Sequence, residues 1–131
     1  MKKVLFICTG NSCRSQMAEA IVNARMGAEW QAVSAGTKPA GYIHPKALAA
    51  LSEIGIQHEG RSKRADEFQD EDLDLVVTVC DSAAEECPVW WGNGKKVHHS
   101  FPDPALTDDM NDFRAVRDDI ERVILELLKT S

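Results

Sequence analysis

Four apolar residues, Val4-Leu5-Phe6-Ile7, run directly into Cys8-Thr9-Gly10-Asn11-Ser12-Cys13-Arg14-Ser15, and the helical pattern of Met17, Ala18, Ile21 and Val22 opens immediately after. A buried strand, a tight loop and a helix in that succession constrain the chain more than anything else in it. Such a loop turns its backbone N–H groups toward one point, and the helix N-terminus adds partial positive charge there. Arg14 can offer a planar fork to a tetrahedral oxyanion. Cys8 stands at the mouth of the loop, where a thiol is expected to serve as a thiolate nucleophile. The spacing Cys8-x5-Arg14-Ser15 is not a nucleotide-binding Walker loop, because no Gly-Lys-Ser/Thr follows. The stretch reads as an anion cradle with a nucleophile at its base.

The remainder alternates strands with helices. Strands are expected over 3–7, 31–35, 73–79 and 95–98, the second closed by Gly36. Helices are expected over 15–26 with Gly27 as C-cap, from Pro45 to Gly55, and over 111–129. A short helix over 82–86 would be capped by Asp81. In the last helix Phe113, Val116, Ile120, Val123, Ile124 and Leu127 recur at helical spacing. The third strand, Leu-Asp-Leu-Val-Val-Thr-Val, is nearly continuous in apolar residues, as a strand buried on both faces must be. The acidic run 65–72 is expected on a solvated face with Phe68 turned inward. This alternation implies an α/β fold: a single-domain, four-stranded parallel sheet with right-handed crossovers and helices on both faces. Functional sites of such sheets lie beyond the C-terminal strand ends. Cys8, Cys80 and Asp103 all fall at or after strand ends.

At 131 residues the chain is long enough for one domain, residues 1–131, with a real core. A net charge of −6 without a basic stripe excludes nucleic acid as a partner. It also means that an anionic substrate must be drawn in by a local field against an unfavourable global one. The apolar run after Met1-Lys2-Lys3 meets Asn11 and Arg14 too soon for a signal peptide, and no stretch is long enough for a bilayer. A cytoplasmic location is the expectation, with no membrane partner and nothing that demands more than a monomer. Cysteines stand at 8, 13, 80 and 87. Their spacing does not suit zinc, and in a reducing compartment clustered thiols point to catalysis. His98 and His99, adjacent in a strand, point to opposite faces and are not read as a metal site. No cofactor or metal is expected.

The cysteine–arginine loop together with Asp103-Pro104 resembles the low-molecular-weight protein tyrosine phosphatase fold. The order Val76-Val77-Thr78-Val79-Cys80, then Cys87-Pro88, then Asp103-Pro104-Ala105 resembles the thioredoxin-coupled arsenate reductases built on that fold. The likeness covers almost the whole chain. The set of three cysteines is its specific part, and Ala105 stands where a phosphatase usually carries tyrosine.

The resemblance implies a mechanism. Cys8 would attack the arsenic of arsenate, for which phosphate or sulfate are oxyanion mimics. Arg14 and the loop from Thr9 through Gly10, Asn11, Ser12 and Cys13 to Ser15 would hold the oxyanion. Asp103 would be the general acid, Ser15 would hydrogen-bond the Cys8 sulfur, and Asn11 would fix the unusual loop backbone. Cys80 would then form a disulfide with Cys8, and Cys87 with Cys80, thioredoxin reducing the last pair. Residues 81–94 would unwind to let Cys80 and Cys87 meet, and Trp90 and Trp91 would face the reductase. Cys13 has no part in the relay. Some relatives bind potassium through positions matching Asn11, Glu19 and Ser34 and an aspartate that aligns with Lys63; the lysine here is expected to replace the ion and pair with Glu19. The alternatives are a low-molecular-weight phosphatase in which Cys80 and Cys87 give redox protection, a reductase coupled to glutaredoxin and glutathione, and a thiol-based sensor of metal or arsenite, which needs no oxyanion cradle.

Overall fold

The computed structural model describes residues 1–80 and 94–131. Cys87, Trp90, Trp91, the helix expected at 82–86 and the unwinding expected of that segment lie outside the described residues.

The elements run β1 (Lys2–Cys8), α1 (Arg14–Arg25), β2 (Trp30–Gly36), α2 (Pro45–Glu53), a 3-10 turn (Ala65–Phe68), β3 (Leu75–Thr78), β4 (Lys95–His98), a second 3-10 turn (Pro104–Leu106) and α3 (Met110–Lys129). The four strands form one sheet in the order β2-β1-β3-β4. Every pairing is parallel. Because β1 is central, its side chains are buried on both faces and read as an unbroken apolar run. One buried cluster joins Val4 and Phe6 of β1 to Met17 and Ile21 of α1, Leu51 of α2, and Phe113 and Ile120 of α3. On the opposite face Leu5, Ile7 and Val76 pack against Phe68 and Leu73. Phe68 is therefore turned inward, as its place in an acidic run suggested.

Several element ends differ from the sequence reading, each for a local reason. The strand β3 spans Leu75–Thr78; at its start the Asp74 main chain already bonds to Lys3 and Lys95, and its carboxylate accepts the N–H of Lys3 at 2.8 Å. Gly27 is not the C-cap of α1. The helix ends at Arg25 and is capped by Met26, whose N–H donates to the carbonyl of Val22. Glycine is required at 27 for a different reason, since a Cβ there would lie 2.5 Å from the carbonyl oxygen of Asn23. By contrast Pro45 occupies the first turn of α2 as expected, with the ring of His44 capping it by accepting the N–H of Lys46. No helix among the described residues is long and apolar enough to cross a membrane.

Candidate active site

The loop between β1 and α1 is shaped from outside. Each carbonyl from Thr9 to Cys13 accepts a hydrogen bond from a neighbour. Thr9 accepts from the Lys38 N–H at 3.0 Å, Gly10 from Ala40 at 2.8 Å, Ser12 from His44 at 2.8 Å and Cys13 from Met17 at 2.8 Å. The carbonyl of Asn11 accepts from the Gln16 amide at 3.2 Å, and Gly10 takes a second bond from the Ser62 hydroxyl at 3.1 Å. In a trans peptide the N–H points opposite to the C=O. Tying the carbonyls outward therefore turns the amides that follow them inward, toward the mouth of the loop. The Asn11 N–H shows the result by donating to Cys8 Sγ at 3.2 Å. Gly36 lets β2 come this close, for a Cβ there would meet the Thr9 carbonyl oxygen at 2.4 Å.

The orientation of the Asn11 amide beside the sulfur follows from one unambiguous donor. The backbone N–H of Lys63 donates to Asn11 Oδ1 at 2.8 Å, so the Asn11 Nδ2 is the donor to Ser15 Oγ, also at 2.8 Å. Ser15 is thereby an acceptor on one side, and its own hydrogen is available to a Cys8 thiolate across the 2.8 Å to Sγ. Cys8 receives the Asn11 N–H, and as a thiolate it would also receive the Ser15 O–H; both bonds strengthen when the sulfur carries charge. Asn11 holds φ +47°, the left-handed region that asparagine enters more readily than most residues.

A second layer, which the sequence reading passed over, supports Asn11. Gln16 is fully buried and its Nε2 donates to Asn11 Oδ1 at 3.0 Å and to the Arg61 carbonyl at 2.8 Å. Its Oε1 is then an acceptor, and the His58 Nε2–H lies on it at 2.8 Å. A Cβ at Gly60 would sit 2.7 Å from His58 Nε2, so the glycine makes room for this contact. Burial pushes the His58 imidazole below its ordinary value, with the Glu19 carboxylate pulling the other way. Glu19 also accepts from Ser34 Oγ at 3.0 Å and faces Lys63 Nζ at 3.7 Å. Lys63 is 8% exposed, so the expected pairing with Glu19 is present and the side chain is not a solvated surface lysine. Burial lowers the Lys63 ammonium from its usual range, Glu19 opposing. A glutamine on the first turn of a helix and a histidine in a polar connection carry no pattern of their own, and only the folded chain brings them together.

Above the loop, Arg14 is buried and donates through Nη1 to the Phe101 carbonyl at 3.1 Å, while Nη2 lies 4.0 Å from Asp103 Oδ2. Asp103 accepts the Ala105 N–H at 3.0 Å and the Cys13 thiol at 3.7 Å. Burial first, then the charges of Asp103 and Cys8, pushes the Cys13 thiol up to about 12. Cys13 is therefore a protonated donor at neutral pH. Cys80 follows β3, whose register sets Thr78 beside Ile7 of the neighbouring strand. The Val79 N–H donates to the Ile7 carbonyl, extending the pairing by one residue, so Cys8 and Cys80 stand at the same end of adjacent strands. Cys80 is fully buried and disulfide-bonded, whereas Cys8 and Cys13 are free thiols. Among the described residues no three His, Cys, Asp or Glu side chains converge to hold a metal.

Known proteins are similar to this chain in sequence and fold. The chain is 42% identical over 135 residues to an arsenate reductase of Halalkalibacterium halodurans, covering 98% of this chain and 96% of that one. The crystal structure of an arsenate reductase from Archaeoglobus fulgidus superposes with a TM-score of 0.84 at 33% identity, covering 96% and 98% of the two chains. An arsenate reductase in a phosphate-binding state gives the same TM-score at 29% identity, over 99% and 98%. The family model of the low molecular weight phosphotyrosine protein phosphatases matches residues 3–131. With the cysteine–arginine loop, the parallel sheet and that match in agreement, the chain belongs to the low molecular weight phosphotyrosine protein phosphatase family.

Proposed function

We propose that this protein reduces arsenate to arsenite by a relay of three thiols. The observation that carries the reading is the Cys8 sulfur, within hydrogen-bond distance of the Asn11 N–H and the Ser15 hydroxyl at the base of the loop and set at the same sheet end as a second cysteine, Cys80. The likeness to arsenate reductases over nearly the full length supports it.

In this mechanism arsenate sits on the inward amides and Arg14. The Cys8 thiolate attacks arsenic, a sulfur–arsenic bond forms, and one oxygen leaves as water with the proton supplied by Asp103. The Cys80 thiolate then attacks Cys8 Sγ. A Cys8–Cys80 disulfide forms while the electron pair of the sulfur–arsenic bond stays on arsenic, which departs as arsenite. Cys87 attacks Cys80, leaving a Cys80–Cys87 disulfide and freeing Cys8. A dithiol donor reduces that pair, and the presence of a second resolving cysteine favours thioredoxin over glutathione with glutaredoxin. The reading needs only one copy of the chain.

The test is arsenate-dependent oxidation of NADPH with thioredoxin and thioredoxin reductase. Turnover is expected in the wild type and is abolished by Cys8→Ser, Cys80→Ser and Cys87→Ser. Hydrolysis of an aryl phosphate without any arsenate-dependent NADPH oxidation would show a phosphatase instead. Turnover only with glutaredoxin and glutathione would replace the donor.

A further inference from the structure

Asp103 belongs to a stretch that behaves as one hydrogen-bonded block. Its carboxylate accepts the Ala105 N–H, its carbonyl accepts the Leu106 N–H at 3.3 Å, and the Pro104 carbonyl accepts the Asp108 N–H at 3.2 Å. The block has two moorings on the anion loop and its surroundings. At the front, the Phe101 carbonyl holds Arg14. At the rear stands Asp108, a non-glycine residue at φ +54°. Lys46 Nζ donates to the Asp108 carbonyl and lies 2.9 Å from its Oδ1. His44 adds to this end: its Nδ1 accepts the Lys46 N–H, which leaves the ring proton on Nε2, 3.5 Å from Asp108 Oδ1. The same ring packs on Phe113 of α3 with centroids 4.7 Å apart, and the His44 main-chain N–H is the one that turns the Ser12 carbonyl outward. His44 thus touches the cradle, the start of α2, the Asp103 block and α3. Lys46 and the His44 Nε2–H face Asp108 in this corner, and its carboxyl is held below the usual range chiefly by the Lys46 hydrogen bond.

We propose that Lys46, His44 and Asp108 form a clasp that fixes the Asp103 block against the anion loop, so that they are positioning residues for the oxyanion step and act through Asp103. This rests on the reading of Asp103 as general acid. A backbone unit clamped at one end transmits a displacement to the other, and proton transfer falls off steeply with misplacement of about 1 Å. None of the three residues needs to touch the oxyanion.

The test starts from fully reduced protein and follows a single turnover, the loss of free thiols after mixing with arsenate, alongside the binding of inorganic phosphate. Asp108→Asn keeps a side chain that tolerates positive φ and removes the charge; Lys46→Met breaks the clasp from the other side, and thermal melting checks that both fold. Each is expected to slow the single turnover roughly three- to tenfold while phosphate affinity stays within about twofold. Lys46→Arg is expected to recover the rate to within about twofold. In an Asp103→Asn background Asp108→Asn adds no further slowing, because the group it positions is gone. The clasp is overturned if Asp108→Asn slows the Asp103→Asn protein by its full factor, if phosphate affinity falls in parallel with the rate, or if Asp108→Asn and Lys46→Met both react at the wild-type rate. If Asp103→Asn itself reacts at the wild-type rate, the acid reading fails and the clasp falls with it.

Discussion

Replacing Ser15 by alanine separates two energies that one hydroxyl supplies. Ser15 is fully buried, and its Oγ lies 2.8 Å from both Cys8 Sγ and Asn11 Nδ2. Cys8 would keep the Asn11 N–H at 3.2 Å and lose its other donor. A hydrogen bond to a charged group contributes about 1.5–3 kcal/mol, so alkylation of Cys8 by iodoacetamide at a fixed pH near 7 should slow roughly ten- to hundredfold. Separately, Asn11 Nδ2 would be left buried without its acceptor, at a cost of about 1–3 kcal/mol to the fold. Ser15→Thr restores a hydroxyl and should recover most of the alkylation rate. The measurement is site-resolved mass spectrometry of the reduced protein, with thermal melting in parallel. A Ser15→Ala protein that alkylates Cys8 as fast as the wild type would refute a Ser15 hydroxyl that donates to the Cys8 thiolate. An unchanged melting temperature would refute the claim that the hydroxyl closes the network around Asn11.

Gly36→Ala should destabilise the protein by about 1–3 kcal/mol and lower Tm by about 5–10 °C, because its Cβ would fall 2.4 Å from the Thr9 carbonyl oxygen, a backbone atom with nowhere to go; a melting curve superimposable on the wild type would contradict that contact. Exchanging sodium for potassium at constant ionic strength should leave both Tm and turnover unchanged, since the Lys63 ammonium already faces Glu19 at 3.7 Å and donates to the Arg61 carbonyl at 2.7 Å. A potassium ion bound at a hundred times its Kd would add about 2.7 kcal/mol, enough to be seen in the melt.

Much of the site was legible because its parts are contiguous. Cys8, Asn11, Arg14 and Ser15 sit in one eight-residue stretch, and the conformation of a strand–loop–helix turn needs little from elsewhere to be inferred. Lys63 was read from its alignment with an acidic position of relatives and indeed meets Glu19. Gln16 and His58 were not found, because they are 42 positions apart and neither belongs to a periodic pattern. Gly27 was misread for a related reason. A glycine after a helix has two uses, a left-handed cap or a close approach, and only the position of the Asn23 carbonyl distinguishes them.

What the amino-acid order determined alone is the alternation of strand and helix, and hence a parallel sheet with its chemistry at the C-terminal strand ends. Hydrophobic periodicity and the loop residues suffice for that, since both act over a few neighbouring positions. The tertiary structure alone decided which way each hydrogen bond runs. The Asn11 amide, which donates to Ser15 Oγ beside the sulfur, is oriented by the main chain at Lys63, and that strand-edge contact exists only after residues 57–64 have packed against the loop. Local sequence can place an acceptor beside a sulfur; a donor aimed at it requires the closed network, because a hydroxyl turns freely until its lone pairs are claimed.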